Sequence, residues 1–198
     1  LKAAAKGAGG TLNDLYLAGL CGALARYHED QFVSVGTLPL GMPISTRRHD
    51  DATGGNRFVA AVLAAPLAEA DLAARMKSIA EQVRTIRSEP GLDYADWATP
   101  WLAALPAALS ARLVGAMRAP DVQASNVPGH RHELFLAGAR VETLLGVGPL
   151  PGAAMMVTLV SHLDRATLTV HYDPAALREP AVFARCLAEA FAEIEALA

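Results

Sequence analysis

The sequence predicts an α/β fold in which helices pack on a mixed β-sheet. Apolar residues recur at spacings of three and four in residues 12–28, 72–86 and 182–194, a period typical of helices with a buried stripe. Short apolar runs bounded by Gly and Pro predict strands between these helices. Since the helices alternate with strands that partly form sequential hairpins, a mixed sheet is expected.

Composition indicates a single domain with a substantial core. Of the 198 residues, 53% are hydrophobic and 19% are charged, so the chain has ample apolar surface to bury. The net charge is −3, and the 20 acidic and 17 basic side chains are spread along the chain. Because this distribution builds no strong positive field, nucleic acid is not expected as a partner.

The N-terminal part of the sequence predicts a linker and two helices, which are separated by strands. Residues 1–10 are rich in Ala and Gly, lack the apolar core of a signal peptide and begin without Met, so we expect a linker inside a longer protein. Thr11 is the predicted N-cap of the helix at 12–28, whose pattern predicts one buried face. The helix at 72–86 is ended by the Pro-Gly pair at 90–91.

Two strands are predicted between these helices. Apolar side chains alternate in residues 38–44, and Pro39 and Pro43 favour an edge or irregular strand, because proline cannot donate a ladder hydrogen bond. Residues 58–63 are continuously apolar, which is typical of a strand covered on both faces.

The second half predicts a helical region, four strands and a closing helix. The Ala-rich residues 97–117 favour helix, although Pro100 and Pro106 interrupt them. The closing helix has a predicted buried stripe that runs from Val182 to Ile194. Strands are predicted at 122–127, 134–136, 155–160 and 166–172, the last two joined by a tight turn at 163–165.

The sequence predicts neither a membrane span nor a disulfide. The longest uncharged apolar helix candidate, residues 97–111, is shorter than the roughly 18 residues that a span needs. Cys21 and Cys186 lie on the apolar stripes of predicted helices, where a free thiol behaves as a small hydrophobe. We therefore expect reduced, structural cysteines and a cytoplasmic protein.

The sequence shows no convincing nucleophile with a base, carboxylate pair or metal-ligand cluster of the kind that a complete catalytic centre needs. His130, His132 and Glu133 form a dense set of donors, but no second pair with ligand spacing accompanies them, so a solvated turn is favoured over a metal site. His171 lies among threonines on the polar face of a predicted strand and is interpreted as solvated or hydrogen-bonded. The sequence contains no G-x-S-x-G elbow and no phosphate-loop or dinucleotide-binding glycine motif.

Polar pairs at the ends of predicted elements are the candidate site residues. Asp14, at the third position of the opening helix, is placed to accept from the Thr11 amide, so capping is favoured over direct chemistry for Asn13-Asp14. A helix N-terminus can also orient an anionic group. Asn56 and Arg57 open the strand at 58–63, where an internal ion pair is favoured over a phosphate contact for the arginine.

Ser125 and Asn126 form the third pair, at the end of a predicted strand and just before the rigid turn Pro128-Gly129. Side chains at such a position can point into a cleft. As hydrogen-bond donors they would stabilise charge that develops on a carbonyl oxygen. Polar strand ends are also common without any function, so both interpretations stay open.

Six short segments together carry a family resemblance. They occur in the order seen in the bacterial wax ester synthase/diacylglycerol acyltransferase (WS/DGAT) family, and the chain resembles the C-terminal domain of that family over nearly its whole length. The segments are T-L-N-D at 11–14, L-G-M-P-I-S-T-R at 40–47, G-N-R at 55–57, S-N-V-P-G at 125–129, L-A-G-A-R-V at 136–141 and G-P-L at 148–150.

The resemblance implies one half of a two-domain acyltransferase. Members of the family resemble two chloramphenicol-acetyltransferase-like domains joined by a linker, with the active-site tunnel between them. Residues 1–10 then correspond to a remnant of the interdomain linker and residues 11–198 to the C-terminal domain. In such enzymes the base is the second histidine of an H-H-x-x-x-D-G motif in the N-terminal domain. This chain lacks the motif, so the resemblance implies no catalytic residue here and no activity of the chain alone.

The resemblance also implies substrates, partners and tunnel residues. A fatty acyl group would pass from acyl-CoA, a co-substrate rather than a permanently bound cofactor, to a diacylglycerol or a long-chain alcohol. The partner would be the N-terminal domain of the same protein, with peripheral contact to a membrane or lipid inclusion as a further expectation. No metal is implied. The tunnel candidates are Asn13, Asp14, Asn56, Arg57, Ser125 and Asn126, with Ser125 and Asn126 facing the base and holding the thioester oxygen or the pantetheine arm.

Two alternatives stay open on the residues alone. The missing base and the uncharged stretch at 97–111 are also compatible with a non-catalytic lipid-binding or scaffolding domain of the same fold. A condensation or polyketide-associated acyltransferase domain, whose acyl donor sits on a carrier protein, is the other alternative. The segments at 125–129 and 136–141 favour the WS/DGAT family over it.

Overall fold

The computed structural model describes residues 1–45, 58–88, 104–107, 109, 112, 120–150 and 152–197. The predicted helical region at 97–117 lies largely outside these ranges. None of the described helices is long and apolar enough to cross a membrane. The described helices are α1 (Lys2–Gly7), α2 (Leu12–Asp30), α3 (Leu72–Ser88) and α4 (Pro180–Glu195). The described strands are β1 (Thr37–Ser45), β2 (Phe58–Pro66), β3 (Val122–Pro128), β4 (Phe135–Leu136), β5 (Ala139–Arg140), β6 (Met155–His162) and β7 (Arg165–Tyr172).

Five of these strands form one mixed sheet in the order β2-β1-β3-β6-β7. The central pairings, β1 with β3 and β3 with β6, are parallel, whereas β1–β2 and β6–β7 are antiparallel. Strands β4 and β5 form a separate two-stranded hairpin. Apolar side chains from one face of the sheet join those of the helices in one core. The α/β class with a mixed sheet and packed helices is thereby confirmed.

Helix α2 lies at the centre of the core. Every residue from Asp14 to Leu24 is buried, because α1, α3 and α4 all pack against this helix. The Tyr16 hydroxyl donates a 2.6 Å hydrogen bond to the Val157 carbonyl of β6, and burial raises the pKa of Tyr16, so the phenol stays neutral. The prediction of one buried face was wrong. Apolar residues occur all round this helix, which is typical of a fully enclosed one.

Strand β1 is an interior strand, although its prolines predicted an edge or irregular one. Pro39 lies opposite Ala64 of β2, whose backbone N–H and C=O are both bonded to a side chain outside the sheet. Since Pro39 and Pro43 are an even number of residues apart, their ring nitrogens both face β3 rather than β2. Pairing with β3 is confined to the two residues Leu40 and Gly41 between the prolines. The prolines therefore shorten the β1–β3 ladder instead of placing β1 at the edge.

Strand β2 lies at one edge of the described sheet, with β7 at the other, and it is buried on one face only. Leu63 is buried, whereas Val62 and Phe58 are about half exposed, so the predicted coverage on both faces was wrong. Gln82 of α3 covers the free edge: its side-chain amide accepts from the Ala64 N–H at 2.9 Å and donates to the Ala64 carbonyl at 3.0 Å. These two bonds satisfy backbone groups that would otherwise be open to another strand.

Residues 2–7, within the stretch predicted as a linker, form helix α1. Ala4 and Ala5 are buried in the core against α2. Alanine has the highest helix propensity, and its small side chain allows this close packing. The assignment of residues 1–10 to a linker and of 11–198 to a domain remains a prediction from the resemblance.

Both cysteines are free and buried, as the sequence predicted. Burial raises the pKa of the Cys21 thiol to about 12, and it also raises the pKa of Cys186. Both residues therefore remain neutral thiols that fill core space.

Candidate functional site

The N-terminus of α2 is one side of the candidate site. Thr11 and Asp14 form a complete capping box: the Asp14 amide donates to the Thr11 hydroxyl oxygen, and the Asp14 carboxylate accepts from the Thr11 amide at 2.9 Å and from its hydroxyl at 2.7 Å. Only 7% of Asp14 is exposed. The capping role predicted for Asp14 is confirmed, and one carboxylate oxygen, Oδ2, accepts both bonds from Thr11.

Asn126 of β3 meets this helix terminus. Its side-chain N–H₂ lies 3.5 Å from the Asn13 carbonyl oxygen, a long hydrogen bond between groups 113 positions apart in the sequence. The Asn126 amide carries a second N–H that this bond leaves available. Because both side chains are neutral amides, the pair can orient a polar group or donate to an oxygen, but it cannot remove a proton.

Ser125 lies on the opposite face of the sheet from Asn126. Successive side chains of a strand point to opposite faces, and Ala124, which shares a face with Asn126, belongs to the helix-covered core. Ser125 is 8% exposed and is paired in register with Thr158 of β6. The structure thus joins Asn126 to Asn13 and separates Ser125 from both.

The turn after β3 fixes where this strand ends. A Cβ at Gly129 would lie 1.9 Å from the Ser161 carbonyl oxygen of β6, so only glycine fits there. Beyond it, the His130 carbonyl accepts from the Leu163 N–H at 3.2 Å. These contacts join the ends of two parallel strands, and they give the glycine of the S-N-V-P-G segment a structural reason.

Segment 141–150 crosses the face of β6 that carries Thr158. A Cβ at Gly146 would lie 2.5 Å from the Thr158 methyl group, and one at Gly148 would lie 2.3 Å from the Met156 sulfur. The Gly148 carbonyl accepts a 2.7 Å hydrogen bond from Nδ1 of His171 in β7. Gly146 and Gly148 are therefore sites where the backbone approaches a strand closely.

The described histidines do not supply a base at Asn126. His162 and His171 lie on the face of the sheet that carries Thr158, opposite the face of Asn126, because side chains alternate along a strand. His28 lies in the last turn of α2, whereas Asn13 lies in the first. His130 and His132 are exposed, as expected for a solvated turn. Sequence reasoning missed His162, which is 5% exposed at the end of β6 and donates to the His130 carbonyl at 3.1 Å. The sequence signal that could have identified His162 is its place directly after the apolar residues of β6, which favours burial.

Two predicted candidates, Asn56 and Arg57, lie outside the described residues. Among the described side chains, no group of three or more His, Cys, Asp or Glu residues is arranged to hold a metal ion. The described site is therefore a neutral, hydrogen-bonding wall formed by Asn126 and Asn13 beside the capped end of α2.

Comparison with known proteins identifies the family. The sequence model of the WS/DGAT C-terminal domain matches residues 54–195. A Mycobacterium tuberculosis protein that carries the name of a diacylglycerol O-acyltransferase is 48% identical over 198 residues, which is 100% of this chain and 40% of the relative. A second M. tuberculosis protein with the same kind of name is 29% identical over 98% of this chain and 42% of its own length. The chain spans about two fifths of the length of these relatives.

Solved structures share the fold. The wax ester synthase/diacylglycerol acyltransferase from Marinobacter aquaeolei VT8 aligns with a TM-score of 0.63 at 20% identity, over 98% of this chain and 45% of that one. The first condensation domain of the CDA synthetase aligns with a TM-score of 0.56 at 13% identity, over 95% of this chain and 41% of that one. Both likenesses concern architecture. With the family match over most of its length, the chain belongs to the WS/DGAT C-terminal domain family.

Proposed function

We propose that this chain forms one wall of the substrate tunnel of an acyl-CoA-dependent O-acyltransferase. The reaction would transfer a fatty acyl group from acyl-CoA to a diacylglycerol or a long-chain alcohol. The acceptor oxygen attacks the thioester carbonyl, the carbon–sulfur bond breaks, and CoA leaves as the thiol after it takes up the acceptor proton. Support comes from the family match and from relatives named as diacylglycerol O-acyltransferases.

The contact between Asn126 and Asn13 is the observation that carries this proposal. It holds a neutral amide at the end of β3 with one N–H available. In acyl transfer, negative charge develops on the thioester oxygen, and a fixed N–H donor stabilises it without removing a proton. We therefore assign the oxygen contact to Asn126 and assign Asn13 the role of positioning it.

The base would come from elsewhere in the full-length protein. His162 and His171 lie on the face of the sheet opposite Asn126, and His28 lies at the far end of α2 from Asn13. The Asp14 carboxylate accepts the capping bonds from Thr11. We propose that an N-terminal domain with an H-H-x-x-x-D-G motif supplies the proton acceptor. The relatives are long enough to hold such a domain, since this chain covers 40% of the first of them.

Exposed apolar side chains in and after β4 and β5 indicate a surface that is covered in the full-length protein. Phe135, Leu136, Leu145 and Val147 are between 62% and 76% exposed. Exposure of several large apolar side chains in adjoining segments is typical of a surface that another domain or a lipid phase covers. We assign it to the N-terminal domain, and we place the protein in the cytoplasm, in peripheral contact with a membrane or lipid inclusion that carries its acceptor.

Asn126→Ala in the full-length protein tests the assignment of the oxygen contact. Loss of one such donor is expected to lower kcat by roughly a hundredfold. Gln123→Ala is the matched control, because it removes an amide from the opposite face of the same strand and should leave kcat unchanged. If Asn126→Ala keeps both the turnover and the acyl-CoA affinity of the wild type, the proposed role of Asn126 is wrong.

The absence of a base from the described site also favours a second candidate, a non-catalytic lipid-binding or scaffolding domain of the same fold. This candidate predicts that the full-length protein binds lipid but transfers no acyl group. A condensation-type enzyme would instead accept the acyl group from a carrier protein and discriminate against acyl-CoA. A transfer assay with both donors therefore separates the three possibilities.

A further inference from the structure

A basic groove opens beside the candidate site. It lies between the N-terminus of α2 and one side of α3, encloses about 830 Å³, and includes Asn13 in its wall. Helix α3 contributes three basic side chains to it, Lys77, Arg84 and Arg87. The volume is within the range of small-molecule sites, about 300–1,000 Å³.

The spacing of the three basic residues directs them to one side of α3. They occupy helical positions i, i+7 and i+10, which fall within roughly 80° of each other around an α-helix and extend over about 15 Å of its length. Met76 and Val83 of the same helix are buried, and this fixes the orientation of α3 against the core. The basic row is therefore held in place along the groove.

The groove is electropositive although the whole chain has a net charge of −3. Asp14 is the acidic side chain in its described wall, and its carboxylate is engaged by the Thr11 amide and hydroxyl. Within the described part of the chain, no carboxylate oxygen lies within 4 Å of a side-chain nitrogen of Lys77, Arg84 or Arg87. Three exposed cations thus face the groove without an ion-pair partner among the described residues.

We propose that this groove binds the nucleotide phosphates of the acyl-CoA co-substrate, an inference that rests on the proposed function. Arginine forks match phosphate oxygens in geometry, and lysine adds a mobile positive charge. The neutral pantetheine arm would run from the groove past Asn13, so that the thioester reaches Asn126 at the end of β3. Lys77, Arg84 and Arg87 are thereby specificity determinants for a phosphorylated donor.

The test compares two acyl donors in the full-length protein: a long-chain acyl-CoA and the matching acyl-pantetheine, which has the same thioester but no nucleotide. In the double variant Arg84→Ala/Arg87→Ala we expect the KM for acyl-CoA to rise about tenfold, since two exposed ion pairs are lost. The KM for acyl-pantetheine should be unchanged. Arg178→Ala, which removes an exposed arginine away from the groove, is the control and should change neither value.

Each outcome decides a different point. If the double variant shifts both KM values equally or shifts neither, the groove does not bind the phosphates. If the wild-type protein transfers acyl groups from neither donor, the proposed function fails, and a titration with adenosine 3′,5′-bisphosphate tests the groove separately. Binding that the double variant weakens about tenfold then supports the groove, whereas absence of binding to the wild type overturns it.

Discussion

At the scale of single residues, close contacts explain the motif glycines Gly129 and Gly148. Gly129 lies against the Ser161 carbonyl, and Gly146 and Gly148 lie against side chains of β6. The S-N-V-P-G and G-P-L segments therefore hold the turn after β3 and the segment over β6 in place. Asn126 gains its position from this turn, because the turn fixes where β3 ends.

Gly129→Ala is expected to destabilise the fold by on the order of 1–3 kcal/mol, because the added methyl group meets a backbone oxygen that cannot move alone. The midpoint of urea unfolding measures this loss. Gly36→Ala is the matched control, since a Cβ there meets nothing within 4 Å. Equal midpoints for the two variants would show that the turn tolerates a side chain.

Residue-level predictions from the sequence succeeded where the interaction is local. Thr11 and Asp14 are three positions apart, so the capping box could be predicted from the sequence. The contact between Asn13 and Asn126 was not readable, because it depends on how α2 crosses the sheet. Ser125 and Asn126 were treated as one pair, although strand geometry places them on opposite faces.

At the scale of elements, helix α3 covers the edge of the sheet with one side and lines the groove with another. Gln82 completes the hydrogen bonding of the β2 edge, while Lys77, Arg84 and Arg87 line the groove. Periodicity predicted α3 correctly but could not show which polar side faces the sheet edge. The order of strands also lay beyond periodicity: the prolines of β1 favour an edge or irregular strand, whereas the structure places β1 in the interior of the sheet.

Gln82→Ala is expected to lower the free energy of unfolding by about 1 kcal/mol, since two hydrogen bonds to the Ala64 backbone are lost at a partly solvated edge. The open β2 edge should also promote concentration-dependent association. Thermal unfolding and light scattering measure the two effects. Glu81→Ala, the neighbouring exposed position, should leave both unchanged, and a Gln82 variant that behaves like this control would contradict the edge-covering role.

At the scale of the whole molecule, the chain is a layered α/β domain. Among the residues that the structure describes, its polar wall offers hydrogen-bond donors but no base. The fold class followed from periodicity, whereas the family followed from six dispersed segments, because no single segment carries recognisable chemistry. Its relatives are more than twice as long as this chain. We therefore propose that catalysis takes place at an interface between this domain and a second one.

Acyl transfer from acyl-CoA to diacylglycerol, measured for this chain alone, for the N-terminal half alone and for the two mixed, tests that claim most directly. We predict no turnover by either half and measurable turnover by the mixture. Replacing the second histidine of the H-H-x-x-x-D-G motif by alanine in the N-terminal half should abolish the turnover of the mixture. Turnover by this chain alone would show that a second domain is not needed, since it would place the base within these 198 residues.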